Sequence, residues 1–439
     1  MKKKIIFYAL MMSLIFICCS FSPIVNSMNF NTNFDTSTEA IALKNLNTNT
    51  TVFQKNIDKK MYPASITKIM TYIIVAENAK DFENTLITVS GNLLKSLQGT
   101  DSSTAKIKAG EVFTVKKLLE CLMIASGNDA AVVLADYFGG SSVSTFVEKM
   151  NEKAKVLGCE NTNFCNPHGL HDDDHYTTAN DVLKITQFAL NVPFFSEIIS
   201  KTEVYVRDTD RMPIATTNIF IDKVRGGLSS YSHAVGGKSG YTFEAGRCLV
   251  TISEKNNQKY MCAALGDFSE GGKLVITDTK NLFEWAFNNL SVKLIVDKKS
   301  PMGETNLKYA TTDHIHFVAA EDLECVLPKN VDPSSVQIDF KVSEYVEAPV
   351  AAGTKIGEAF FSYANQHINK VDIVAMETIE QNKFIYIITN LKKFFSSPVF
   401  LITFSIFSIV LAAYICLVVF YNKKNRRSKR SRYRRYKKY

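Results

Sequence analysis

The sequence predicts an α+β domain, a short all-β segment behind it and one membrane-spanning helix near the C-terminus. Three observations carry this. Between about residues 28 and 290, long apolar helical runs alternate with short β-type segments. From about residue 291 the texture changes to short β segments separated by Gly, Pro and Asp turns, the pattern of a small all-β unit. Finally, the 23 residues Val399–Tyr421 are almost wholly apolar, enough to cross the hydrocarbon core of a bilayer.

Taken in order, Lys2–Lys4, the apolar run Ile5–Cys19, Pro23 and the small-residue site at Val25–Ser27 have the layout of a secretory signal peptide over 1–27. A lipidated cysteine at Cys18 or Cys19 is set aside, because Ile17 stands where a small residue is required. Ala40–Leu43 and Thr51–Gln54 flank the turn-forming Asn45–Asn49 and read as a β-hairpin. A helix is expected from Ser65 to about Lys80, a strand at Leu86–Val89 and loop over 91–110. Val115–Ile124 and Ala130–Phe138 read as helices around a Ser126-Gly127-Asn128 corner, and Phe146–Leu157 as a helix that Gly158 stops. A polar loop at 166–175 precedes a helix at Asp181–Leu190. Cys248–Ser253 and Lys259–Leu265 read as strands, and Leu282–Leu290 as an amphipathic helix. The expected division is thus 28–290, an all-β segment at 291–380, a juxtamembrane stretch at 381–397, the span at 398–421 and a basic tail at 422–439.

The net charge of +8 invites a nucleic-acid reading that its distribution refuses. Fourteen of the 51 Lys and Arg lie at 2–4 and between Lys423 and Lys438, which leaves 37 basic residues against 43 Asp and Glu. The tail follows the span and predicts a cytoplasmic C-terminus, with 28–397 outside. Attraction of the tail to anionic lipid is the simpler account of its charge. Six of nine cysteines fall in the exported part, where disulfides are permitted. Cys121, Cys248 and Cys262 sit in apolar runs and read as core residues, so Cys159 and Cys165 are the candidate pair.

The chemistry concentrates at Ser65-Ile66-Thr67-Lys68. On a helix the two functional side chains share one face and meet. Alone, Ser-x-x-Lys is a weak motif. It gains force from Ser126-Gly127-Asn128 and Lys238-Ser239-Gly240, which with it form the set used by penicillin-recognising serine enzymes. With Pro63–Thr71, Ser126–Ala130, Asn166-Pro167-His168-Gly169-Leu170, Lys238–Thr242 and Ala245–Leu249, the chain resembles the serine-type D-alanyl-D-alanine carboxypeptidases, the low-molecular-mass penicillin-binding proteins, over about 38–290. The β-rich segment matches the domain that often follows.

That resemblance implies a penicillin-binding, β-lactamase-like transpeptidase fold, with an antiparallel sheet, flanking helices and a helical subdomain. It implies removal of the terminal D-alanine from peptidoglycan stem pentapeptides through an acyl-enzyme on Ser65, and covalent capture of β-lactam antibiotics. Lys68 would deprotonate Ser65 and must be neutral to do so. Ser126 would relay a proton to the leaving nitrogen, and Asn128 would bind substrate amide or position Lys68. Lys238 would hold the terminal carboxylate, with Ser239 and Thr242 adding hydroxyls. The backbone N–H groups of Ser65 and Tyr241 would form the oxyanion hole. Gly237 and Gly240 would let substrate approach the strand. Ser239 stands where the family has Thr, so a methyl is lost and the hydroxyl kept. Glu244 and Arg247, near that strand, read as surface charge or as specificity residues. No cofactor is implied.

Three rivals remain at this stage. His168, His171 and His175 with Asp172–Asp174 offer metal-ligand types, although the glycine and aspartates around them describe a flexible loop. A β-lactamase-like hydrolase would share the motifs but needs an acid to activate the deacylating water, and 128–238 offers no convincing one. A catalytically silent penicillin- or peptidoglycan-binding protein would have no need to keep Ser65, Lys68, Ser126 and Lys238 together.

Overall fold

The computed structural model describes residues 28–100 and 102–436, with side chains to Lys424. The leader expected at 1–27 and the last three residues of the tail lie outside the described residues. Two compact units are present. Of the described residues, the first comprises those up to Ile295 together with Glu324–Gln337 and Phe361–Asn369, and the second holds the others.

The first unit is organised on a five-stranded antiparallel sheet. Strands β1 (Ala40–Asn45) and β2 (Thr50–Lys55) form the expected hairpin. Helix α1 (Lys68–Asn78) follows a 3-10 turn at Ala64–Thr67. The short strands β3 (Leu86–Thr88) and β4 (Val112–Thr114) pair with each other, and α2 (Gly91–Lys95) lies between them in the stretch expected as loop. Next come α3 (Val115–Met123), α4 (Asn128–Phe138), α5 (Val143–Val156), α6 (Ala179–Ala189) and the one-turn α7 (Phe195–Ser200). The two-residue strands β5 (Glu203–Val204) and β6 (Ile214–Ala215) and the single turn α8 (Lys223–Gly226) lead into β7 (Ala234–Thr242). Strands β8 (Gly246–Lys255) and β9 (Gln258–Asp267) complete the sheet, and α9 (Leu274–Asn289) packs on it. The order is β2-β1-β9-β8-β7, so β7 is an edge.

Side-chain alternation on the strands explains the layering. Ala40 and Ala42 of β1 and Met261, Ala263 and Leu265 of β9 join a core with α1 and α3–α6. Their neighbours Ile41, Leu43, Tyr260, Cys262 and Ala264 face the other way and pack on Phe283, Ala286 and Phe287 of α9. Helix α1 is apolar nearly all round because helices surround it, and Lys68 through Ala76 are all buried. Helix starts follow capping rules. Thr114, Ser142 and Thr178 accept N–H groups at the starts of α3, α5 and α6.

The expected Cys159–Cys165 bridge is absent. Both are free thiols, with Cys159 Sγ directed to the Asp181 carbonyl at 3.8 Å and Cys165 Sγ accepting from Asn163.

Beyond α9, β10 (Leu290–Val296) pairs with β13 (Leu323–Pro328). Val326 of β13 is fully buried in the core beside α9, which is why Glu324–Gln337 belongs to the first unit. A six-stranded sheet carries β11 (Gly303–Lys308), β12 (His314–Ala319), β14 (Gln337–Val342), β15 (Tyr345–Glu347), β16 (Lys355–Tyr363) and β17 (Gln366–Ala375), in the order β14-β16-β17-β12-β11-β15. Helix α10 (Lys383–Phe395) then precedes α11 (Pro398–Tyr436). Among the described residues, Pro398–Lys424 of α11 is long and apolar enough to cross a membrane. The helix continues through most of the basic tail instead of stopping at the expected end of the span.

Candidate active site

Ser65 lies in the 3-10 turn that feeds α1, preceded by Ala64 in a left-handed conformation with φ 45°. The turn puts Ser65 half-exposed while Lys68 is fully buried. Lys68 Nζ is 2.8 Å from Ser65 Oγ, 2.7 Å from Asn128 Oδ1 and 2.7 Å from the His168 carbonyl. Two of these partners can only accept. They take two N–H groups and turn the third tetrahedral direction of the nitrogen toward Ser65. A neutral amine placed this way presents its lone pair to the Ser65 hydroxyl. Burial and the Lys238 charge hold the Lys68 pKa well below that of an ordinary lysine, against the opposing pull of Asp129.

The opposite wall comes from the corner between α3 and α4. Ser126 adopts φ 56° and is buried. Asp129, one residue past Asn128, accepts the N–H groups of Ala105, Ile107 and Ala130 and so straps the 103–107 stretch to the start of α4. Lys238 Nζ donates to Ser126 Oγ at 3.0 Å and to the Ser239 carbonyl at 2.7 Å. Burial lowers its pKa to about 7.

Asn166-Pro167-His168-Gly169-Leu170 closes the third side. Asn166 Oδ1 accepts the His168 and Gly169 N–H groups, and its amide donates to the Leu170 carbonyl. Thr71 Oγ1 donates to the Pro167 carbonyl at 2.6 Å. Gly169 has φ 89°, and a Cβ there would fall 1.9 Å from the Ala64 carbonyl oxygen. Gly169 thus packs against the turn that holds Ser65, and Thr71 and Lys68 tie the loop to α1.

The three histidines serve this loop and do not converge. His175 Nδ1 accepts the Cys165 N–H at 3.1 Å, so its proton sits on Nε2 and is donated to Thr67 Oγ1 at 2.8 Å; Thr67 in turn donates to the Ala64 carbonyl. His168 Nδ1 accepts the Leu170 N–H. His171 faces Asp173 and packs edge-on to Tyr62. Burial is the main cause of the low pKa values of His168, about 3, and His175, about 4. Among the described residues no group of three or more His, Cys, Asp or Glu is arranged to hold a metal.

A groove of about 1330 Å3, open to solvent, runs past Ser65, Ser126 and Asn128 along β7. The geometry bears on three expectations here. Lys238 is 1% exposed and bonded to Ser126, so its ammonium stands behind that serine and not at the groove surface. The groove wall at this level carries Ser239, Thr217 and Arg247, with Ser239 Oγ donating to Thr217 Oγ1 at 3.2 Å. Thr242 Oγ1 lines the groove but accepts the Ala245 N–H, which caps the turn into β8. Two glycines of β7 make room for neighbouring backbone. A Cβ at Gly240 would lie 2.8 Å from Ser65 N, and one at Gly237 would lie 2.3 Å from the Val250 carbonyl oxygen. Gly240 thereby lets the β7 backbone approach Ser65, with Tyr241 next along the strand.

The sequence did not point to Thr217, which belongs to no motif, or to the His168 carbonyl, a backbone group independent of residue identity. Asp129 sits inside a recognised motif, and an acid at the first turn of an apolar helix was the available sign of its capping role.

Residues 27–269 match the family model described as D-alanyl-D-alanine carboxypeptidase, and residues 291–381 match the penicillin-binding protein 5 C-terminal domain. D-alanyl-D-alanine carboxypeptidase DacF of Bacillus subtilis is 28% identical over 338 residues, 76% of this chain and 84% of the relative. A D-alanyl-D-alanine carboxypeptidase of Streptomyces sp. strain K15 is 32% identical over 232 residues, 51% of this chain and 79% of the relative. Among solved structures, penicillin binding protein 5 from Haemophilus influenzae superposes with TM-score 0.68 at 24% identity, over 80% of this chain and all of that one. The Streptomyces K15 DD-transpeptidase superposes with TM-score 0.54 at 26% identity, over 59% of this chain and all of that one.

Proposed function

The chain belongs to the D-alanyl-D-alanine carboxypeptidase family, and on that premise we propose that it releases the terminal D-alanine of peptidoglycan stem pentapeptides through an acyl-enzyme on Ser65. The observation that carries this assignment is the buried, low-pKa Lys68 amine held 2.8 Å from Ser65 Oγ by two acceptor-only partners.

Ser65 Oγ attacks the carbonyl of the penultimate D-alanine as its proton passes to Lys68. The oxyanion is received by the N–H groups of Ser65 and Tyr241, which the absence of a side chain at Gly240 allows to approach each other. The C–N bond then breaks, and the leaving nitrogen takes a proton from Ser126, which Lys238 polarises from behind and which regains its proton from the Lys68 ammonium, leaving Lys68 neutral again. Water adds to the acyl-enzyme, with Lys68 again as base, and restores Ser65. The terminal carboxylate is met by the hydroxyls of Ser239 and Thr217 and the guanidinium of Arg247. A β-lactam enters the same first step and stays attached to Ser65. The leader at 1–27 is removed, α11 anchors the enzyme, the first unit lies outside and the basic end lies in the cytoplasm.

The test uses the full chain in detergent with a D-Ala-D-Ala peptide and labelled penicillin. Wild type should release D-alanine and take up label on Ser65, and Ser65→Ala should do neither. Lys68→Ala should lose activity on the order of 10^3-fold. Release undiminished in Ser65→Ala would refute the assignment.

A further inference from the structure

The groove does not end at the oxyanion donors. Past Thr242 it reaches Glu244, which also borders a second depression of about 830 Å3. The other charges on that rim are already engaged. Lys59 pairs with Glu39, Lys60 stands over the Tyr176 ring and Asp173 faces His171. Glu244 is exposed, and none of the ion pairs found among the described residues includes it.

Acylation at Ser65 fixes the direction of a bound peptide. The leaving residue lies toward Ser126, Thr217 and Ser239, so the residue before the acylated D-alanine continues toward Thr242 and Glu244. This is antiparallel addition of an extended strand to the free edge of β7. From the terminal residue to the third from the C-terminus, an extended chain covers about 7 Å. A side chain of four or five bonds adds roughly as much again, and the groove that it would follow is lined by Glu244.

We propose that Glu244 receives a primary ammonium on the side chain of the substrate residue third from the C-terminus. The enzyme thereby prefers stem peptides in which that amine is free over those in which it is acylated. The assignment rests on the carboxypeptidase reading above and names the substrate class within it.

The experiment compares kcat/KM of the full chain for Nα-acetyl-L-Lys-D-Ala-D-Ala and for the same peptide acetylated on the side-chain amine, at low ionic strength. Because Glu244 is exposed, the expected preference for the free amine is modest, about threefold, and smaller in high salt. In Glu244→Gln the ratio should fall to one, and in Glu244→Lys it should invert. Each ratio is measured within one variant, so a partial loss of folded protein cancels. Equal rates for the two peptides in wild type, or an unchanged ratio in Glu244→Gln, would overturn the assignment of Glu244 and leave the carboxypeptidase reading standing. Release of D-alanine from neither peptide would overturn both.

Discussion

Lys68 and Lys238 are both withdrawn from water, and both titrate below an ordinary lysine. In the proposed mechanism their catalytic duties have opposite sign. Lys68 works as a neutral base, so kcat/KM should rise with pH through its depressed pKa. Lys238 works as a donor to Ser126, so kcat/KM should fall again as pH passes about 7. A pH–rate profile of the free enzyme checks the resulting bell. The same burial has a consequence for stability. The native pKa of Lys238 is about 7, whereas the unfolded chain holds that proton to about pH 10.4. Between those values the unfolded state binds more protons, and native stability therefore increases with pH. Urea midpoints at pH 7 and pH 10 should show this gain in wild type and a smaller one in Lys238→Met.

At the scale of the element, β7 is where sequence and structure diverge most usefully. Lys238-Ser239-Gly240 was legible as a motif, yet its geometry was not. A motif names residue types at a spacing, whereas the direction of Lys238 Nζ depends on Ser126, 112 residues away. The approach of the Pro63–Ser65 turn to Gly240 was not legible, because no local pattern links two segments so far apart in the chain. Gly240→Ala should therefore damage catalysis more than folding. The Cβ must displace the Ser65 N–H, an oxyanion donor in the proposed mechanism, and loss of one such donor lowers kcat by on the order of 10^2-fold or more. Measuring kcat alongside the thermal midpoint separates the two effects. Periodicity located α1, α3, α4 and the β8–β9 hairpin because their apolar faces repeat cleanly. It missed α2, which is short, and the first turns of α9, where the polar stretch Asp278–Asn281 separates Leu274–Ile276 from the later apolar face.

The whole chain was the most legible level, since charge runs, span length and change of texture are all visible without contacts. The fine division was not. The match to the C-terminal domain begins at 291, but Val326 completes the core beside α9 and β10 pairs with β13. A fragment ending at residue 290 should be less stable than one ending at 380, by about 2 kcal/mol or more for the loss of Val326 burial alone. Denaturant unfolding of the two fragments measures the difference. The fragment ending at 380 also lacks α10 and α11 and should move to the soluble fraction on cell fractionation.

Ser126 lines the groove and Ala64 is buried next to Ser65, and both are non-glycine residues with left-handed backbones. Each such conformation disfavours the native state by roughly 1–2 kcal/mol, so the protein is less heat-resistant than the same fold could be. Ala64→Gly would relieve part of that strain and raise the melting temperature, while loosening the turn that aims Ser65 at Lys68. A selection for thermal survival alone would accumulate changes at these two positions, and the survivors would be sturdier proteins that had lost their catalytic alignment.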